Sequence, residues 1–183
     1  RGLGRNKDIQ WFKQFGEGEY VIAGSAGALL AGWVLRDYPG GEVLFEFGGR
    51  SSRALIVGLP ALAFMQFAIG ASRPVDYADG SRWKPFQDVN GVSGHTFMGA
   101  LPLLTVAQMT DRLVLKMGCY AAAAMPGLSR INDQSHFASQ VMLGWWMAAT
   151  AVMAVNETET GRPWSIVPWG AHDGGGIGYL RHF

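Results

Sequence analysis

A chain of 183 residues is long enough for one domain with a sizeable core and too short for two, so we expect one functional site. The formal net charge of +1, with acidic and basic residues mixed along the chain, excludes the strongly basic surface of a nucleic-acid-binding protein. Hydrophobic residues make up 49% of the sequence and charged residues only 16%, a composition between that of a soluble domain and that of a membrane protein. Cys119 lies in an apolar run and has no second cysteine for a disulfide, so we expect it in the core.

Five stretches without a charged residue predict helices, because they are rich in Ala, Leu, Met and Gly. In chain order they cover residues 20–35, 54–72, 95–110, 117–129 and 137–156. A helix that crosses a bilayer needs about 20 apolar residues, with a lower limit of about 17. The second and fifth stretches reach that length, the first and third are marginal, and the fourth is short. A bundle buried in protein is the alternative to a bundle embedded in a membrane.

Polar connectors separate these stretches at residues 36–53, 73–94, 110–112 and 130–135. The connectors 73–94 and 130–135 are separated by two helices with a tight turn between them, so both are expected at the same end of the bundle. The Gly- and Pro-rich tail predicts an extended surface segment. Since the sequence begins with Arg and not Met, we expect that a leader or an upstream helix has been removed.

Polar residues suited to phosphate binding stand at the ends of these two connectors. Arg73 and Arg130 come from separate connectors, and two arginines can fork around a tetrahedral oxyanion with charge-assisted hydrogen bonds. Ser93 and Gly94 stand at a helix start, where free backbone N–H groups bind phosphate oxygens. The sequence therefore predicts a phosphate site at one end of the bundle.

Two histidines, His95 and His136, accompany these residues. A histidine pair fits phosphoryl transfer, because one ring can attack phosphorus while the other protonates the leaving oxygen. This scheme needs no metal or other cofactor, and the sequence lacks the carboxylate cluster of a two-metal site. Taken singly, each residue is more often structural, and we assign that structural role to His172 and His182 in the tail. The joint arrangement of the other set is what indicates a site.

The order of "SRP", "VSGH" and "SRINDQSH" resembles the type 2 phosphatidic acid phosphatase (PAP2) superfamily, which includes vanadium haloperoxidases and bacterial class A acid phosphatases. The resemblance covers residues 15–156, between an N-terminal segment at 1–14 and the tail at 157–183. It implies an all-α, PAP2-like bundle of five to six helices. It also implies roles for the site: Arg73 and Arg130 bind phosphate, Ser93 and Gly94 add hydrogen bonds, His95 is the general acid, and His136 is the nucleophile that forms a phosphohistidine.

Two positions depart from the family pattern. Gln66 stands where the family has a lysine, and an amide can donate a hydrogen bond to phosphate without neutralising its charge. Gln140 stands where the family has an aspartate; it can accept the histidine N–H but supplies no negative charge. We nevertheless expect Gln140→Asp to be tolerated. Lys84 and Asp133 are weaker candidates to replace the missing charges, and Val92 stands where the family usually has proline.

The sequence thus predicts a metal-independent phosphatase that hydrolyses a phosphomonoester or diphosphate, with a lipid phosphate or polyprenyl diphosphate as the natural substrate. One alternative is a PAP2-like protein that binds a phosphorylated lipid without turnover, and a third is a vanadate-dependent haloperoxidase. The predicted location is a bacterial inner membrane with the site facing the periplasm, and a soluble periplasmic enzyme is the alternative. The membrane orientation rests on basic residues at the opposite end of the bundle, namely Arg36, Arg50, Arg53, Arg112 and Lys116.

Overall fold

The computed structural model describes residues 7–75, 82–159, 164–171 and 174–181. Within these ranges the chain forms a bundle of five long helices, preceded by a short helix and followed by a two-stranded hairpin. The elements are α1 (Lys7–Gln10), a 3-10 helix (Trp11–Gly16), α2 (Gly18–Val34), α3 (Gly41–Ile69), α4 (Gly94–Gln108), α5 (Leu113–Asn132), α6 (Ala138–Glu159), β1 (Trp164–Ala171) and β2 (Gly174–Arg181). The predicted all-α bundle of five to six helices is confirmed.

Helix α3 is longer than predicted, because it begins at Gly41 and includes most of the stretch 36–53. The prediction of a polar connector there was wrong. In this part of α3, Arg53 pairs with Glu159 at the end of α6, and Arg50 pairs with Glu46, which lies four residues earlier in the same helix. Pairs at this spacing are compatible with a helix, so the charges mark its polar end and not a break.

Helix α4 lies at the centre of the bundle. Its side chains Phe97, Leu101 and Leu104 are fully buried among residues of α3, α5 and α6. Cys119 of α5 is also buried and unpaired, as expected. Because α4 is enclosed on all sides by packed helices, its first residue is held in a fixed place at one end of the bundle.

The described residues of the connectors 73–94 and 130–135 lie at the same end of the bundle, as predicted. The backbone N–H of Ser93, before α4, donates to the carbonyl of Gln140 in α6 at 3.0 Å. The side-chain amide of Gln140 donates to the carbonyl of Ser72, after α3, also at 3.0 Å. These hydrogen bonds join the C-terminal end of α3 to the N-terminal ends of α4 and α6.

Helices α3 and α6 are each long and apolar enough to cross a membrane. They correspond to the second and fifth stretches of the sequence analysis. Only 22% of the apolar part of α3 is buried inside the protein, and large apolar side chains such as Ile56 and Phe64 are exposed along it. An outward apolar surface of this kind supports contact with lipid.

The tail forms an antiparallel hairpin in which Trp164 pairs with Arg181 and Ala171 pairs with Gly174. The predicted extended conformation is therefore confirmed for these strands. His172 and His182, which the sequence analysis assigned to a structural role, lie outside the described residues.

Candidate active site

Arg130 and His136 are brought together by the way α5 ends. The carbonyl of Arg130 accepts the backbone N–H groups of Ser135, at 3.0 Å, and His136, at 3.3 Å. Gln134 adopts a left-handed conformation with φ 56°, which lets the chain double back. Both functional side chains are buried, with 8% of Arg130 and 6% of His136 exposed. The local fold thus places a cation directly beside the predicted nucleophile.

The side chain of Gln140 fixes the orientation of His136. Its Oε1 lies 2.9 Å from Nδ1 of His136 and accepts the backbone N–H of Phe137 at 3.0 Å, while its Nε2 donates to the carbonyl of Ser72. The N–H of Phe137 can only donate and the carbonyl of Ser72 can only accept, so only one orientation of the amide satisfies both. Nδ1 of His136 must then carry the proton, and Nε2 of the neutral ring keeps its lone pair.

His136 is held in its neutral form. Its pKa is lowered to about 4, mainly by burial and also by the positive charges of Arg130 and Arg73, while the hydrogen bond to Gln140 opposes the shift. Burial disfavours a charged ring, and nearby cations act in the same direction. At neutral pH the ring therefore has an unprotonated nitrogen, as a nucleophile requires.

The start of α4 is capped by Ser93, which is fully buried. Its Oγ accepts the backbone N–H of Thr96 at 3.3 Å and the Thr96 hydroxyl at 2.8 Å. The backbone N–H of Ser93 is also used, by the carbonyl of Gln140. In the part of the chain that the structure describes, the N–H groups of Gly94 and His95 have no acceptor, so these two are the donors available to an anion. The predicted contact of Ser93 itself with phosphate stays a prediction.

Arg73 and Gln66 both bind the segment that leads into this helix start. Nε of Arg73 donates to Oδ1 of Asn90 at 2.8 Å, which anchors the exposed arginine to the connector before α4. Its charge lowers the pKa of both Arg130 and His136, so it acts on the same site. Gln66 donates through Nε2 to the carbonyl of Val92 at 3.1 Å, and this amide nitrogen lies next to Gly94. The structure therefore brings Gln66 to the helix start, and its expected hydrogen bond to phosphate stays a prediction.

His95, the second residue of α4, faces a carboxylate that the sequence analysis did not identify. Its Nε2 lies 3.4 Å from Oε1 of Glu17, which precedes α2. Burial lowers the pKa of His95, and the charges of Arg130 and Lys13 lower it further, whereas Glu17 raises it. Glu17 belongs to no recognisable motif, and the only sequence signal is an acidic residue just before the first apolar helix.

Asp133 does not take the place of the missing aspartate, whereas a role for Lys84 at the phosphate stays a prediction. Asp133 accepts a hydrogen bond from Nε2 of Gln10 at 3.1 Å, and it is Gln140 that bonds to Nδ1 of His136. Lys84 is exposed, and its backbone N–H binds the carbonyl of Gly70. Both contacts follow from the fold of the connectors, which the sequence alone does not reveal. Among the described residues, no group of three or more His, Cys, Asp or Glu could hold a metal ion.

A sequence model of the PAP2 superfamily matches residues 48–162, well over half of the chain. The chain belongs to the PAP2 superfamily. The matched range includes every predicted site residue from Gln66 to Gln140, and it does not include Glu17. Membership of the PAP2 superfamily supports a phosphatase-type function in general, on phosphorylated substrates that are often lipids. Searches of curated proteins and of solved structures gave no match.

Proposed function

We propose that this PAP2 protein is a metal-independent phosphatase that hydrolyses a phosphomonoester or a diphosphate through a phosphohistidine at His136. The observation that carries the proposal is the state of His136: a buried, neutral ring with its Nδ1 proton held by Gln140 and with Arg130 beside it. A site that only bound phosphate would need the arginines. It would not need a histidine with a fixed tautomer.

In the first step, the Nε2 lone pair of His136 attacks phosphorus and the bond from phosphorus to the leaving oxygen breaks. His95 gives one proton to that oxygen, so the product leaves as an alcohol or a phosphate. In the second step, neutral His95 takes a proton from water as the water oxygen attacks phosphorus. The bond from phosphorus to His136 then breaks, which releases phosphate and restores both histidines.

The transferring phosphoryl group is stabilised by Arg73, Arg130 and the backbone N–H groups of Gly94 and His95. Fixed donors of this kind stabilise charge that develops in the transition state. Because Gln66 and Gln140 supply no charge, we expect slower turnover than a site with lysine and aspartate at these positions would give. Because the two amides carry no charge, the alternative that the protein binds a phosphorylated lipid without turnover has to be excluded by experiment.

A lipid phosphate or polyprenyl diphosphate is the substrate class that we propose. The exposed apolar surface of α3 and the apolar length of α6 support a site at the edge of a membrane. Arg50 and Arg53 lie in the part of α3 remote from Gln66, where they bind Asn156 and Glu159 near the end of α6. This placement favours a bacterial inner membrane with the site facing the periplasm, and a soluble periplasmic enzyme is the alternative.

Phosphate release by wild type and His136→Ala tests the proposal, with a lipid phosphate in detergent and a soluble phosphomonoester as substrates. Ser139→Ala is the matched control, because Ser139 is exposed and lies three residues after His136. We expect vanadate-sensitive release by wild type and Ser139→Ala, and its loss in His136→Ala. Equal release by wild type and His136→Ala would overturn the proposal.

A further inference from the structure

The segment that precedes Glu17 is held at the site by two contacts. Gly16 packs so closely under the backbone of His95 that an added Cβ would lie 2.6 Å from the carbonyl oxygen of His95. Six residues earlier, Gln10 donates to Asp133 in the connector after α5. The segment before α2 is thus fixed to both α4 and α5, and Glu17 emerges between them.

Two cations, Arg130 and Lys13, lower the pKa of His95 in addition to its burial. Arg130 faces it from α5 and Lys13 from the 3-10 helix, while His136 precedes α6 and is itself acted on by Arg73. Of the acidic groups, Glu17 acts on His95 directly and Asp133 acts on Arg130. A protonated ring at this place is opposed by burial and by these cations, so it needs a nearby negative charge.

We propose that Glu17 is a positioning residue for His95, a role that rests on the proposed function: its carboxylate faces Nε2 and orients the ring, so that Nδ1 is the nitrogen that delivers the proton. Nε2 is buried and makes no hydrogen bond within the described ranges, and the carboxylate of Glu17 approaches it to 3.4 Å. The side chain of His95 is still 31% exposed, so another edge of the ring is open to substrate. In each turnover His95 gives one proton to the leaving oxygen and regains one from the attacking water, while Glu17 stays ionised.

Glu17 adds a charge at a different place in the site from the two amides. Neither Gln66 nor Gln140 carries a charge, and Glu17 introduces a negative charge from a segment outside the residues that match the family. The charge acts on the general acid and not on the nucleophile. Glu17 therefore supports the step in which the leaving group departs.

A histidine NMR titration of the full chain in detergent micelles tests the contact without relying on turnover. The proteins are wild type, Glu17→Gln, Glu17→Asp and the control Glu19→Gln, which removes an exposed charge two residues away; His95→Asn assigns the signal. Glu17→Gln should lower the pKa of His95 by roughly one pH unit. Glu17→Asp should fall between Glu17→Gln and wild type, and Glu19→Gln should match wild type. An unchanged pKa in Glu17→Gln, or an equal shift in Glu19→Gln, would overturn the proposal.

Kinetics separate this role from a structural one. Glu17→Gln should lower kcat roughly tenfold with little change in KM, and it should move the alkaline limb of the pH profile to lower pH. When His95→Asn is already present, Glu17→Gln should not lower kcat further. An equal loss of kcat on adding Glu17→Gln to His95→Asn would contradict action through His95. If wild type released no phosphate, the proposed function would fail, and the titration would still decide whether Glu17 acts on His95.

Discussion

Gln140 and His136 are joined by a hydrogen bond of 2.9 Å between Oε1 and Nδ1. The same amide binds the carbonyl of Ser72, so the orientation of the nucleophile depends on a residue of a different connector. An uncharged group therefore fixes the tautomer of His136 through a network that spans α3 and α6. The side-chain amide of Gln140 therefore orients His136, although it lacks the charge of a carboxylate.

Removing the amide should disturb the chemistry more than the binding. Gln140→Ala should lower kcat about a hundredfold, because His136 loses the contact that aligns it for attack. The affinity for phosphate should change little, since the arginines remain. Steady-state kinetics with phosphate as a competitive inhibitor would measure both quantities, with Ser139→Ala as the control. Equal kcat in wild type and Gln140→Ala would show that the amide has no such role.

Replacing the amide with a carboxylate should not be neutral, contrary to the expectation from sequence. Aspartate is one methylene shorter than glutamine, and it has no N–H to donate to the carbonyl of Ser72. Leaving that buried carbonyl without a partner costs about 1 to 3 kcal/mol. We expect a lower melting temperature for Gln140→Asp and Gln140→Glu than for wild type, with Gln140→Asp less active. Wild-type stability and activity in Gln140→Asp would restore the original expectation.

The activity should have an acidic pH optimum. His136 must be neutral to attack, so the rate should rise with pH through about 4, where its pKa lies. His95 must be protonated to act as the acid, and its pKa is lowered from 6.5, so the rate should fall again below neutral pH. The pH dependence of kcat/KM measures both limbs. A profile that keeps rising above pH 7 would contradict this assignment of acid and nucleophile.

The two arginines should differ in their contribution to anion binding. Arg130 is buried and its Nε has no hydrogen-bond acceptor in the described part of the chain, whereas Arg73 is exposed and screened by solvent. Arg130→Met should weaken vanadate binding about a hundredfold, and Arg73→Met should weaken it less. Calorimetric titration would compare them with Arg112→Met, an exposed arginine before α5. Equal losses in Arg73→Met and Arg112→Met would remove Arg73 from the site.

The packing of α6 against the start of α4 should tolerate no added methyl group. A Cβ on Gly144 would collide with the carbonyl of Ser93 and displace the N–H groups that follow it. Gly144→Ala should lower the free energy of unfolding by about 1 to 3 kcal/mol and reduce activity. Gly118→Ala is the control, because a Cβ there meets open space. Comparable melting temperatures for the two variants would contradict the close contact.

The sequence was sufficient for the parts of the site that depend on local order along the chain. Arg130 and His136 are close because a helix ends between them, and their connector meets Arg73 because two helices separate the connectors. The all-α fold could be predicted from the apolar stretches, and membership of the PAP2 superfamily from the order of the three motifs along the chain. The start of α3 was predicted too late in the chain, because the charged residues Glu46 and Arg50 were interpreted as part of a connector, whereas they form a pair within the helix.

The contacts that tune the site could not be predicted, because they join residues far apart in the sequence. Glu17 approaches His95 because the 3-10 helix packs against α4, and nothing in residues 10–17 indicates that approach. The bond from Gln140 to Ser72 likewise depends on the relative placement of α3 and α6. Asp133 faces Gln10 and not His136 for the same reason.

Formation of a phosphohistidine at His136 tests the central claim most directly. Wild type would be mixed with a soluble phosphomonoester, quenched in alkali within a single turnover, digested and examined by mass spectrometry. We expect one phosphate on the peptide that contains His136, and no phosphate on that peptide from His136→Asn. Turnover of the substrate without phosphate on His136, or equal turnover by His136→Asn, would contradict the account.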